Sequence, residues 1–327
     1  MSAQRDLKMA HAPVEIIYGV AAAPSWSPDE MRNRFNVLHQ HNVTSLDTGA
    51  AYGDSETVLG ERHAPKEFVI HTKAPALYPR CLTRQRVLDG MQKSLKDLGV
   101  DSVDLYYLHH PDAQVPIEET LSAIQDIYAA GKFKRFGLSN FPPEQVQQVY
   151  DIQSAAGSVV PTVFQGNYNA VSRHIEVDLF PLLRKLNISF YAYSPIAGGF
   201  LVKDTESLKS KNVEGRFSGR TSLGDMYNTL YGKESLYQAL DEWGVIADDA
   251  SISKAALSYR WIAYHSALKK EVGDGLIIGA SKVLQLEETL TAVEAGPLDV
   301  LTAKRASDIW EKVKHEAPRD NLDFLKI

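Results

Sequence analysis

Residues 83–112, "TRQRVLDGMQKSLKDLGVDSVDLYYLHHPD", hold a helix pattern running directly into a strand pattern. Thr83 stands where a cap belongs, and Val87, Leu88, Met91, Leu95 and Leu98 recur at the spacing of one helical face. Gly99 follows the last apolar turn. Four residues on, "VDLYYLH" (103–109) is a short, nearly continuous apolar run, as expected of a strand covered on both faces. Such strands pair in parallel, because a helix separates each from the next.

The same alternation runs outward in both directions. Strands are expected at 16–20, 44–47, 68–73, 103–109, 133–139, 162–166, 188–194 and 275–280, and helices at 28–41, 54–61, 83–98, 116–130, 143–155, 175–186, 251–265 and 282–293. Eight strand–helix units without a linker or a break in composition predict one (β/α)8 barrel domain spanning residues 1–327, with a doubly wound open sheet as the main competitor. Two stretches escape the repeat: residues 198–250 read as an irregular loop after the seventh strand, and 300–317 as a last helix.

Composition narrows the function. The 327 residues are 44% hydrophobic and carry 41 acids against 35 bases, a formal charge of −6 without runs of one sign. That balance argues against a nucleic-acid partner. Cys81 is the only cysteine, so no internal disulfide and no cysteine-based zinc site can form, and a reducing, cytoplasmic compartment is expected. The first 20 residues lack the apolar core of a signal peptide, and no run approaches the ~20 apolar residues of a membrane span.

In a barrel the C-terminal strand ends gather at one mouth. There the second strand delivers Asp47 with Tyr52 five residues on, the third Lys73, and the fourth His109 and His110. An ammonium beside a phenol favours the phenolate, lowering a pKa otherwise near ~10, and a carboxylate holds the ammonium charged. A shift of about two units corresponds to roughly 2.7 kcal/mol. A neutral histidine beside them can orient a substrate oxygen. Each residue also has a plainer explanation: Asp47 as a turn cap, Lys73 as a solvated strand end, Tyr52 as rim packing. Together, four complementary groups at one mouth fit proton donation to a carbonyl.

These residues carry a resemblance. "LDTGAAYGDSETVLGE" (46–61), "FVIHTK" (68–73) and "DLYYLHHP" (104–111) resemble the aldo-keto reductases, and the similarity continues through "GKFKRFGLSNF" (131–141), "VFQGNYNAVSR" (163–173), "FYAYSPIAGGFL" (190–201), "EGRFSG" (214–219) and "GLIIGASKVLQLEETL" (275–290). It covers about residues 16–296 and is strongest toward the aflatoxin-aldehyde reductase branch. The resemblance implies a catalytic tetrad of Asp47, Tyr52, Lys73 and His109. It also implies a cofactor, NADPH/NADP+ rather than NADH. Ser139, Asn140 and Gln165 would take the carboxamide and Tyr193 would stack on the nicotinamide. Ser194, Pro195, Gly198 and Gly199 would embrace the pyrophosphate, with Ser281, Lys282 and Gln285 at the ribose phosphate. Lys282, Arg216 and Arg220 are available to pair a 2′-phosphate. Gln285 stands where many relatives have arginine, and Thr289 where asparagine is usual for the adenine. No Gly-x-Gly-x-x-Gly follows a strand, so a separate dinucleotide-binding domain is not supported.

Trp26, Tyr78, His110, Phe141, Met226, Tyr227 and Tyr231 form an aromatic set suited to a planar or aryl carbonyl substrate. A monomer or homodimer is expected, without membrane or nucleic acid. Two alternatives compete: a reductase-like regulatory subunit that only binds the nicotinamide, and a metal-dependent hydrolase using His39, His41, His71, the 109–110 pair and Asp47. Against the second, "HQH" at 39–41 sits in a helical pattern, where positions two apart do not face each other. Strand alternation sets His109 on the side of Leu105 and Tyr107, with His110 opposite; alignment to the family, not parity, gives His109 the catalytic role and His110 the pocket.

Overall fold

The computed structural model describes residues 13–21, 23–210, 213 and 215–320. The leader expected to be absent from the N-terminal stretch concerns mostly residues 1–12, which lie outside the described residues.

Eight parallel strands close into a barrel in sequence order: β1 (Glu15–Gly19), β2 (Ser45–Asp47), β3 (Val69–Lys73), β4 (Val103–Leu108), β5 (Phe133–Ser139), β6 (Pro161–Asn167), β7 (Ser189–Tyr193) and β8 (Gly275–Ile278), with β8 pairing back onto β1. Each lies within two residues of its expected bounds. The helices of the repeat are α1 (Pro28–Gln40), α2 (Ser55–Glu61), α3 (Arg84–Leu98), α4 (Ile117–Ala129), α5 (Pro143–Ala155), α6 (Ile175–Asp178) and α7 (Phe180–Lys185).

Residues 198–250 are not the irregular loop expected from sequence. They contain α8 (Thr205–Lys209), α9 (Ser222–Tyr231) and α10 (Glu234–Asp249). α10 buries Leu236, Ala239, Leu240, Trp243, Ile246 and Ala247 on one face. Beyond it come α11 (Lys254–Tyr264), α12 (Val283–Glu294) and α13 (Val300–Val313), the last packed against α10.

Two cores follow from the alternation of strand side chains. Ile17, Leu105, Tyr107, Val163, Tyr191 and Ile277 fill the barrel, while Tyr106, Leu108, Phe136, Leu138 and Ala192 face the helix shell. The Tyr107 ring fills the space beside Gly137, where a β-carbon would stand 2.4 Å from it. β4 therefore alternates as its sequence implies, and the position after Leu108 returns to the barrel axis.

α3 also shows a correction. Thr83 occupies the cap position with no side-chain hydrogen bond. The N–H of Arg84, the first helical residue, donates to Glu119 Oε1 of α4, 2.9 Å away. Gly99 does end the helix in the left-handed region, at φ 67°.

At the end of α1, His39 and His41 part company as helical spacing requires: His39 meets Glu67, while His41 bridges two carboxylates of α12, Glu294 at 2.8 Å and Glu287 at 3.2 Å. Burial disfavours charge on His41, but the carboxylates outweigh it and raise the pKa above 6.5. The stabilisation is then fully present below the unfolded value and lost as pH rises through the folded one. Because both glutamates are exposed, it is worth roughly 0.5–1 kcal/mol. His41→Ala should therefore melt lower than the parent in mild acid, and thermal melts should converge as pH is raised. A difference that stays constant with pH would assign His41 a packing role instead.

Candidate active site

The barrel mouth collects its polar groups from the last residues of successive strands. Asp47 ends β2 and Lys73 ends β3, both inside the barrel and buried. The Lys73 ammonium donates to Asp47 Oδ1 in a short ion pair and to the Thr48 carbonyl at 2.6 Å. Gln165, on β6, donates from Nε2 to the other Asp47 oxygen at 2.9 Å. Gly49 lets the backbone pass the aliphatic stem of Lys73, where an added β-carbon would lie 3.3 Å from it. Each carboxylate oxygen thus has a donor, and the amine is held between two acceptors. Burial opposes charge on Lys73, yet Asp47 and Tyr52 more than compensate, and its pKa is raised.

Tyr52, partly exposed after β2, sets its ring 5.1 Å from Lys73 Nζ and its hydroxyl 3.4 Å from His109 Nε2. The Tyr52 and His109 rings meet edge-on at 5.4 Å and 86°. The balance at Tyr52 differs from the sequence expectation. Lys73 does pull the phenol pKa down, with a smaller contribution from Arg216, but burial is the larger influence and the net shift is upward. Tyr52 is therefore an acid held in its protonated form, not a phenolate. His109 is neutral: burial, then Lys73 and His110, lower its pKa to about 3. Its Nδ1 has no partner among the described residues. His110 is half-buried, with Asp112 and Asp320 near enough to oppose the downward shift that burial imposes.

The residues expected at the nicotinamide also converge. Asn140, at φ 61° just beyond β5, donates to the His109 carbonyl and to Ser139 Oγ, both at 3.0 Å, and accepts from the Tyr193 hydroxyl at 2.8 Å. Tyr193 caps the barrel core beside these amides. After β7 the chain turns at Ser194 (φ 56°), whose carbonyl accepts from Asn169, passes buried Pro195, and curls through Gly198 and Gly199 (φ 67° and 107°). At Gly198 a β-carbon would run into the Tyr227 ring, so only glycine fits. Ser281 and the Lys282 N–H both donate to Gln285 Oε1, at 2.7 and 3.2 Å, which orders the turn into α12. Arg216 donates to the Tyr227 hydroxyl at 3.2 Å. This set of amides, hydroxyls, a fixed aromatic ring and a glycine-lined curl fits a carboxamide, a planar ring and a phosphate chain.

Of the residues expected to line the pocket, Tyr227 and Tyr231 stack in an aromatic cluster with Phe200 and Phe217, with Tyr227 against Gly198 and Arg216, and Phe141 and Met226 are buried. Tyr78 is 45% exposed with Arg86 over its ring. Trp26 lies on Arg34, 4.0 Å from ring centroid to guanidinium carbon. His71 sits two residues below Lys73 beside Arg135 and Asp104, apart from His39 and His41. Among the described residues no group of three or more His, Cys, Asp or Glu could hold a metal ion, and no helix is long and apolar enough to cross a membrane.

Sequence reasoning passed over Arg34, fully buried on α1. The signal is its place in the stripe Met31, Arg34, Phe35 and Leu38, a cation on the buried face of an amphipathic helix.

A closed parallel barrel with an acid, an amine, a phenol and an imidazole converging at its C-terminal mouth defines a barrel oxidoreductase. More narrowly, the chain belongs to the aldo/keto reductase family, whose model matches residues 15–311. It is 38% identical over 296 residues to an oxidoreductase, sirO, of Leptosphaeria maculans, covering 90% of this chain and 89% of that one. To aflatoxin B1 aldehyde reductase member 2 of Homo sapiens it is 38% identical over 290 residues (84% and 80% covered), and to human aldo-keto reductase family 7 member A3, 37% over 288 (84% and 87%). The similarity to the aflatoxin-aldehyde reductase branch read from the motifs is thus present over most of the chain.

Proposed function

We propose that this barrel reduces an aldehyde or ketone to the alcohol with NADPH, with Tyr52 as proton donor. The observation that carries the reading is the contact of the Tyr52 hydroxyl with His109 Nε2, 3.4 Å away, over the buried Lys73–Asp47 pair. Bound NADPH would supply the hydride. Tyr52 gives its hydroxyl proton to the carbonyl oxygen as that oxygen gains charge. Its partly exposed position allows a proton from solvent to replace it. His109, carrying its proton on Nε2, donates a hydrogen bond to the same oxygen and fixes its direction. Lys73 stabilises the phenolate left on Tyr52, and Asp47 keeps Lys73 charged and in place. Ser139, Asn140, Gln165 and Tyr193 would hold the nicotinamide end. Gly198, Gly199, Arg216, Ser281, Lys282 and Gln285 would hold the phosphates. The partner is a small carbonyl compound, and the single cysteine fits a cytoplasmic setting.

Steady-state turnover with NADPH or NADH against aldehydes, ketones and dialdehydes tests the reading. NADPH binding without turnover on any of them would favour the regulatory alternative. The two histidines sharpen the test. His109→Ala should lower reduction of every carbonyl by about 10²-fold, the effect of removing one preorganised donor. His110→Ala should redistribute kcat/KM among substrates. Loss of all turnover in His110→Ala alone would reverse the assignment.

A further inference from the structure

Arg34 is a fully buried guanidinium with no carboxylate in ion-pair reach among the described residues. Its partners are neutral. Nη1 donates to the Tyr18 hydroxyl at 2.7 Å and the Ala280 carbonyl at 3.0 Å, Nη2 donates to the Ser281 carbonyl at 2.9 Å, and the Trp26 ring covers its face. Burial raises the Tyr18 pKa to about 12 although Arg34 opposes it, so the phenol stays neutral and supplies no counter-charge. A buried cation held only by dipoles lacks the counter-charge that ordinarily offsets its desolvation, and its positive field reaches the groups around it.

Its two carbonyl partners belong to the turn between β8 and α12. A trans peptide points its N–H opposite to its C=O. With both carbonyls turned inward onto Arg34, the N–H groups of Ser281 and Lys282 are turned to the other side, and that of Lys282 meets Gln285 Oε1. The peptide dipoles of this turn and the start of the 12-residue α12 then turn their positive ends to that side.

We infer that Arg34 is a positioning residue for cofactor binding. It fixes the Ala280–Ser281–Lys282 turn in its anion-accepting form and supplies buried positive charge behind it. Through Trp26 it also joins that turn to the loop after β1. The inference rests on the proposed phosphate site at Ser281, Lys282 and Gln285.

The test is calorimetric binding of adenosine 2′,5′-bisphosphate, which needs no turnover. Arg34→Met should bind it about tenfold more weakly than the parent, roughly one charge-assisted contact, and Arg34→Lys should fall between. KM for NADPH should rise with kcat held. Parental affinity in a folded Arg34→Met protein would overturn the inference. Should neither variant fold, the parent still decides: bisphosphate binding should change its tryptophan fluorescence, and Trp26→Phe should abolish that change. A change that persists in Trp26→Phe, or none in a parent that binds the bisphosphate, would overturn the coupling. A parent that binds neither the bisphosphate nor NADPH would overturn the cofactor reading itself, and the inference with it.

Discussion

Tyr52→Phe is expected to lower carbonyl reduction by about 10²–10⁴-fold while NADPH binding stays close to that of the parent. The substitution removes one oxygen and leaves the ring. The edge-on packing on His109 and the Lys73–Asp47 pair beneath it do not depend on the hydroxyl. What disappears is the only transferable proton held beside the carbonyl oxygen at neutral pH, since neutral His109, with a pKa lowered to about 3, can donate a hydrogen bond there but not give up its proton. The loss corresponds to roughly 3–5 kcal/mol of transition-state stabilisation. The same geometry fixes the sign of the pH dependence. Because burial outweighs Lys73 and raises the Tyr52 pKa above 10.0, the acid form persists through neutral pH. Parent kcat/KM for reduction should be level there and fall only in strong alkali, while alcohol oxidation, which needs the phenolate, should rise with pH. A break near the ordinary histidine value of 6.5 would mean that His109 titrates, and parental turnover in Tyr52→Phe would remove Tyr52 from the mechanism.

Local periodicity made the barrel legible, because each strand–helix unit carries its own pattern and eight repetitions leave few other ways to bury it. The side of His109 was legible for the same reason: Leu105 and Tyr107 do lie inside. Other features depend on what meets across the fold. Thr83 stands at the cap position without a capping bond, and the first helical amide, that of Arg84, is taken by Glu119 of the neighbouring helix. The apolar stripe of Glu234–Asp249 is visible in sequence, yet its partner α13 lies far along the chain, so the segment reads as connection. Arg34 stands out as a charge among apolar residues, while its acceptors lie 246 and 247 positions away. The direction of the Tyr52 shift is a sum of opposing influences. Composition names the charges but not their depth.

Lys73→Met should reduce both stability and turnover, and the two losses should separate in a double variant. In the single variant Asp47 keeps its charge at a buried position with Gln165 as remaining partner, and the Thr48 carbonyl loses its donor. Breaking a buried pair in this way costs about 3–5 kcal/mol. Turnover falls for a different reason. The positive field of Lys73 is the largest influence lowering the Tyr52 pKa, so its removal moves that pKa further up and weakens the phenol as an acid. Alcohol oxidation should accordingly shift to higher pH. Adding Asp47→Asn removes the stranded charge while leaving an acceptor for Gln165, and the denaturation midpoint should recover most of its loss. Turnover should not recover, since Tyr52 still lacks the ammonium. Recovery of both quantities together would reduce Lys73 and Asp47 to a structural pair; recovery of stability alone identifies Lys73 as the group that tunes the acid.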